Sequence, residues 1–257
     1  DVALGSGGQM TKYRDNVAAI KVLKTIEAER RRATADEQRI LARYVGWGGI
    51  PNAFQNRVSG EVKAEWAGQV AELRALLTPA ELNAASASSL NAHFTSKDVV
   101  DFMWQAAQRL GFNGGMVLEP SVGVGNFVGL MPREVAGKSF VTGIELDSLT
   151  SRIAAALYPR ANIVNTGFQD AALPDKAFSL AIGNPPFGSE SMRFRHRPEL
   201  NGFSIHNQFF LGSIDAVAPG GIMMMVVSRH LLDAQDASTR QLLAQKAELI
   251  GAVRLPG

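Results

Sequence analysis

Apolar positions along the chain change their period once, near residue 115. Before that point they recur at helical spacing: Val17, Ile20, Leu23 and Ile26, then Ile40, Leu41, Tyr44 and Val45, then Val62, Trp66, Val70, Leu73 and Leu77. Each set is a stripe that a helix can bury. The helix ends are marked as well. Arg30, Arg31 and Arg32 close the first segment, where the carboxyl end of a helix favours cations. Thr34 with Glu37 and Thr78 with Glu81 have capping-box spacing, and Pro79 takes the first helical position of the second. Residues 46–51 form a glycine-rich stop. Residues 14–90 therefore predict a small helical region without a catalytic motif. One more helix carries Val99, Val100, Met103, Trp104, Ala107 and Leu110, with Thr95 and Asp98 as its capping box and Gly111 as its stop.

Beyond residue 115 the apolar residues gather into short continuous runs. These predict strands over 116–120, 139–146, 161–166, 178–183, 221–227 and 249–253, with helices between them, one over 207–217. Strands that are apolar on both faces and alternate with helices predict a doubly wound, mostly parallel α/β sheet. The expected organisation is a linker over residues 1–10, a helical region over 11–92 and a sheet domain over 93–257.

Composition narrows the function classes. Of the 257 residues, 46% are hydrophobic and 19% charged, a balance that excludes a wholly disordered chain. There are no cysteines, which excludes disulfides, thiolate metal sites and cysteine nucleophiles. His196 and His206 lack metal-ligand spacing, so no metal is expected. No run approaches the ~18 apolar residues of a membrane span, and no signal peptide is apparent, so a cytoplasmic chain without membrane contact is expected. The net charge of +2 is unevenly spread, residues 11–66 holding eleven Lys/Arg against seven Asp/Glu. That excess permits a polyanionic partner without requiring one. Trp47, among glycines, suits either packing over a tight turn or stacking on a base.

Two stretches carry chemistry. The run over 178–183 ends in Asn184-Pro185-Pro186-Phe187. Proline can continue neither a helix nor a central strand, so this is a stiff turn at a strand's carboxyl end, where open α/β sheets bind ligands. It offers one amide side chain, carbonyls and an aromatic ring, a set suited to gripping a flat amine-bearing ring. Upstream, Glu119-Pro120 ends the first strand, and Gly123 and Gly125 allow a tight turn into a helix amino terminus. Glu145 ends the second strand, where a carboxylate can accept from ribose hydroxyls. On these residues alone a nicotinamide dehydrogenase stays open, although Glu119 would repel a pyrophosphate.

Residues 119–127 together with Asn184-Pro185-Pro186-Phe187 resemble the S-adenosylmethionine-dependent amino-methyltransferases, specifically the adenine-specific DNA enzymes of gamma-type motif order. Residues 93–96 resemble that family's extra cofactor motif, and the likeness covers 93–257. Residues 43–51 resemble the region ahead of the methyltransferase domain in large helicase-methyltransferase proteins of phages, plasmids and integrative elements, some linked to antirestriction. The resemblance implies a Rossmann-like class I fold, ending here without the complete C-terminal hairpin. It implies that Phe94, Thr95 and Ser96 line the methionine end of S-adenosyl-L-methionine, and that Glu119 and Pro120, with Gly123, Gly125, Asn126 and Phe127, hold its amino-acid part. Glu145 would take the ribose, Leu146 would pack on the adenine, and Asp170 would accept from the adenine amino group with Phe168 nearby. A loop carboxylate is the competing role for Asp170, with Asp175 close in sequence. Asn184 and the Pro185 carbonyl would hold the target amine, Pro186 would stiffen the loop, and Phe187 would stack on a flipped adenine. Arg193, Arg195 and Arg197, interleaved with Phe194 and His196, form either a phosphate-binding loop or a solvated one. DNA and further domains of a longer parent chain, helicase or target recognition, are the implied partners. Methylation of RNA or of protein glutamine, and a binding domain without turnover, remain alternatives.

Overall fold

The computed structural model describes residues 7–55, 59–89 and 95–255. The helical region contains α1 (Gln9–Ala28), α2 (Ala35–Leu41), α3 (Ala67–Leu76) and α4 (Pro79–Ser88). Helix α1 begins at Gln9, so residues 9 and 10 are helical rather than linker. Both capping boxes form: the Thr34 and Thr78 hydroxyls accept from the amides of Glu37 and Glu81, whose carboxylates accept in return. Tyr44 and Val45 lie beyond the end of α2, in the turn that follows it. Trp47 is 1% exposed and meets Tyr13, Tyr44 and Phe54 edge-on, so the base-stacking role is overturned.

Next come α5 (Lys97–Arg109), β1 (Gly115–Glu119), α6 (Asn126–Gly129), α7 (Arg133–Ala136), β2 (Ser139–Glu145), α8 (Ser148–Leu157), β3 (Asn162–Asn165) and β4 (Phe178–Gly183). The chain continues through α9 (Ile205–Ala216), β5 (Val217–Met225), α10 (Arg229–Asp233) and α11 (Ser238–Lys246). The expected capping box of α5 does not form, because Ser96 takes the cap position and its side chain makes no capping bond.

The five strands form one parallel sheet in the order β3-β2-β1-β4-β5, a Rossmann-like doubly wound arrangement. Strand alternation divides the core between the two faces. Val117, Val141, Leu180 and Ile182 pack with Trp104 and Met103 of α5, whereas Leu118, Ile144 and Ala181 pack with Ala216 and Val217. The β3–β4 connection holds only a 3-10 turn, Phe168–Asp170, where a crossover helix is usual. Met116 and Phe140, paired across β1 and β2, are exposed.

The sixth predicted strand does not form. Residues 249–253 are irregular, with Leu249 73% exposed. An apolar run becomes a strand only when an edge pairs with it, and this one finds none among the described residues.

Helix α8 joins the helical region to the sheet. Leu149 and Ile153 on α8 share one core with Tyr13, Ile20, Tyr44 and Trp47, and the same core takes in Val124 from the glycine turn. Arg152 on α8 donates to both carboxylate oxygens of Glu27 and to buried Glu81, which also receives Lys24.

Candidate active site

In a sheet of order 3-2-1-4-5 the winding reverses between β1 and β4, and the crevice beyond that pair is where such sheets bind ligands. Glu119 ends β1, and Asn184 follows β4 directly. Glu145 ends the neighbouring β2. Chain winding therefore gathers three residues that are up to 65 positions apart in sequence.

Hydrogen bonds tie these ends together. The Gly123 amide donates to Glu145 Oε2 at 2.9 Å and the Asp147 amide to Oε1 at 2.8 Å. Asn165 on β3 donates to the Glu145 and Leu146 carbonyls, fixing where β2 stops. The Ser121 hydroxyl donates at 3.0 Å to the Asn184 carbonyl, bridging the β1 and β4 ends. Gly123 (φ 55°) and Gly125 (φ 81°) both adopt left-handed backbone, which a side chain would strain. A methyl group on Gly125 would also lie 2.4 Å from the ring of Tyr158.

Five buried side-chain polar atoms among the described residues lack a hydrogen-bond partner, and three stand on this edge: Glu119 Oε2, Asp147 Oδ2 and Asn184 Oδ1. Burial, and then the charge of Glu145, push the Glu119 carboxyl well above its ordinary range. Burial is also the main cause that pushes Glu145 up to about 7, with Asp147 adding to it and the amides of Asp147 and Gly123 opposing it. Tyr158 is pushed up to about 12 by burial and by Glu119. A buried acceptor without a donor is costly, so a donating group brought to this edge would relieve that cost.

The other predicted residues separate into those at the edge and those used by the fold. Leu146 is exposed beside Glu145, 74% of its surface open. Pro120 and Asn126 flank the glycine turn, Pro120 buried and Asn126 half-buried. Phe127 does not line the crevice with its side chain; it is buried in the core, and its carbonyl accepts from the Trp104 indole at 3.0 Å. Phe168 likewise is buried, stacked on Phe209 at 4.4 Å, while Asp170 is exposed and accepts from Gln169. Thr95 is half-buried and Ser96 exposed at the start of α5, and Phe94 lies outside the described residues.

Residues 188–204 are anchored rather than merely solvated. Phe194 is buried against Phe168, and Gln208 of α9 donates to the Met192 and Leu200 carbonyls and accepts from the Met192 amide. Arg197 is not a free cation: it pairs with Asp215 and Glu199 and donates to the Gly212 carbonyl. Arg193 and Arg195 remain exposed on either side of buried Phe194. Phe187 is half-buried, with one face stacked on His206 at 4.9 Å and 23°. Ser121 and Asn165 lie at predicted strand ends but their roles escape sequence reasoning, and His206 escapes it because only folding brings the start of α9 to the turn after β4. No group of three or more His, Asp or Glu side chains among the described residues is arranged to hold a metal ion, and no helix there is long and apolar enough to cross a membrane.

No protein-family model matches the chain. Over 172 residues it is 29% identical to "Defense against restriction protein B" of Escherichia phage P1, a match covering 65% of this chain and 8% of that protein. Over 108 residues it is 32% identical to "Type II methyltransferase M.CvrRI" of Paramecium bursaria Chlorella virus XZ-6E, covering 42% of this chain and 27% of that one. The chain therefore spans less than a third of the length of these curated relatives. Among solved structures, the methyltransferase subunit of a type I restriction-modification system from Streptococcus thermophilus superposes with a TM-score of 0.49 at 14% identity, covering 92% of this chain and 73% of that chain.

Proposed function

We propose that the chain is the catalytic domain of an S-adenosylmethionine-dependent methyltransferase acting on the exocyclic amino group of adenine in DNA. The observation that carries this reading is the pair of buried, partnerless acceptors, Glu119 Oε2 and Asn184 Oδ1, on either side of the switch point. Once ionised, the Glu119 carboxylate only accepts, which suits the ammonium group of an amino-acid cofactor and disfavours a pyrophosphate. The Asn184 oxygen with the Pro185 carbonyl suits the two hydrogens of one amino group. Similarity to the type II methyltransferase and to the phage defence protein supports methyl transfer and a DNA target.

In this reading Glu119 and Pro120, with the backbone of Gly123, Gly125 and Asn126, hold the amino-acid part of the cofactor. Thr95 and Ser96 line its methionine end, Glu145 accepts from the ribose and Leu146 covers the adenine, whose amino group Asp170 accepts from. When bound, the cofactor supplies a methyl group activated by a sulfonium. Asn184 and the Pro185 carbonyl hold both hydrogens of the target amine, so that its lone pair faces that methyl. Asn184 and the Pro185 carbonyl would keep that nitrogen aimed at the methyl, and the proton it sheds on transfer would pass to solvent. No residue needs to be a strong base, and the barrier falls through positioning and fixed dipoles. A base inside a duplex is hidden, so it must be flipped out, and Phe187 stacks on it, a contact worth about 1–3 kcal/mol. Arg193 and Arg195 meet phosphates. Helicase or target-recognition domains of a longer protein are the partners we assign to it.

Tritiated-methyl transfer to DNA, RNA and protein tests the reading. Label on adenine of DNA is expected, and label on protein glutamine alone overturns it. Asn184→Ala is expected to lower the transfer rate at least about 100-fold, with binding of S-adenosylhomocysteine preserved in calorimetry. A wild-type chain that binds DNA and never transfers methyl is a binding module instead.

A further inference from the structure

The Asn-Pro-Pro-Phe turn has few ways to be held, because its prolines carry no amide hydrogen to donate to a neighbour. Backbone pairing with β5 ends at Gly183, whose carbonyl accepts from the Val226 amide at 3.0 Å. Past that point two side chains among the described residues reach the turn's backbone. Ser121 holds the Asn184 carbonyl from the β1 side. His206, in the first turn of α9, holds the far half.

His206 is 3% exposed, and both of its ring nitrogens are used. Nδ1 lies 3.3 Å from the Pro186 carbonyl, and the Ser228 amide points at Nε2 from 3.3 Å. An amide only donates, so Nε2 must accept, and the proton must sit on Nδ1, where it is donated to Pro186. The imidazole is therefore neutral and of one tautomer. Burial favours that state by pushing its pKa below the ordinary histidine value, against a smaller opposite effect of the Pro186 carbonyl. The ring face meets Phe187 at 4.9 Å and 23°, and the Phe210 ring lies 5.1 Å away, tilted at 51°. His206 thus joins three segments, the turn after β4, helix α9 and the start of α10.

We propose that His206 is a positioning residue for the amine-gripping turn, backing Phe187 with its ring and fixing the Pro186 carbonyl with its Nδ1 proton. This rests on the proposed function above. A base stacked on the other face of Phe187 would complete a column of base, Phe187 and His206. Displacing the column tilts Phe187 and, through Pro186, shifts the Pro185 carbonyl and Asn184. Cofactor contacts on the β1 and β2 ends stay as they are.

Two measurements on the 257-residue chain test this. Long-range nitrogen–proton spectra of the histidine-labelled protein report the tautomer without any substrate. A protonated Nδ1 with a bare Nε2 is expected, and a proton on Nε2 overturns the proposal. His206→Phe keeps the ring and loses both hydrogen bonds; His206→Asn keeps a donor near the Nδ1 position and loses the stack. Each is expected to lower kcat for methyl transfer to random-sequence duplex DNA about 10- to 100-fold, with KM for S-adenosylmethionine unchanged. Wild-type kcat in both variants overturns the proposal, as does a matching loss of cofactor affinity, which marks general damage. Thermal melting identifies a variant that fails to fold, and the other then decides. The expected tautomer in a wild type that methylates nothing removes the proposed function and, with it, the catalytic part of this role.

Discussion

Glu119 and Glu145 behave differently from surface carboxylates because folding buries the first and half-buries the second beside it. Burial raises both, Glu145 to about 7 and Glu119 well above its usual range. A carboxyl whose folded pKa is raised binds its proton more tightly folded than unfolded, so its contribution favours the folded state below the unfolded value and is lost as pH rises through the folded one. The Tm of the cofactor-free chain is therefore expected to fall as pH rises from the ordinary glutamate range through about 7. Glu145→Gln is expected to flatten that dependence, and melting curves across the range check it. Cofactor binding should show the opposite slope, since the proposed roles need both groups as ionised acceptors. Affinity for S-adenosylhomocysteine is expected to rise with pH through about 7, measured by calorimetry. An affinity that is flat or falls there counts against Glu145 as the ribose acceptor.

At the scale of elements, α8 is the piece that two regions share. Glu81 is buried near the start of α4 and stays ionised, its pKa held down to about 2 despite burial by Arg152, the Thr78 amide and Lys24. Removing Arg152 leaves that carboxylate short of its strongest partner and frees Glu27 as well. Because Arg152 is itself about one-third exposed, the full cost of breaking a buried pair does not apply. Arg152→Ala is expected to destabilise the chain by about 1–3 kcal/mol, read from urea unfolding. The element boundaries were legible where local chemistry sets them, as at the Thr34 and Thr78 caps. They were not legible where pairing sets them. Residues 249–253 are as apolar as β4 yet stay irregular and exposed, because β-structure requires an edge to pair with and apolar content alone does not supply one.

At the scale of the molecule, the helical region is packed into the site's own support. Val124 lies between the two left-handed glycines, and its side chain belongs to the core built by Tyr13, Tyr44 and Trp47. Loosening that core is therefore expected to reach the glycine turn. Trp47→Ala is expected to cost about 3–5 kcal/mol and to weaken S-adenosylhomocysteine binding, and the wild type is expected to unfold in one calorimetric transition. Two separate transitions, with cofactor affinity untouched in the variant, would show the helical region to be an independent unit.

The sequence by itself determined the alternation of strands and helices, the doubly wound sheet and the two stretches at its carboxyl edge. Those features follow from apolar periodicity, glycine and proline, which act over a few residues. Tertiary structure alone decided which side chains the fold keeps for itself. Phe127, Phe168 and Trp47 are claimed by cores, and Arg197 is claimed by Asp215. It alone placed His206 behind Phe187 and left Glu119 and Asn184 buried without donors. Burial and partner choice depend on contacts between residues far apart in the chain, and no local pattern encodes them.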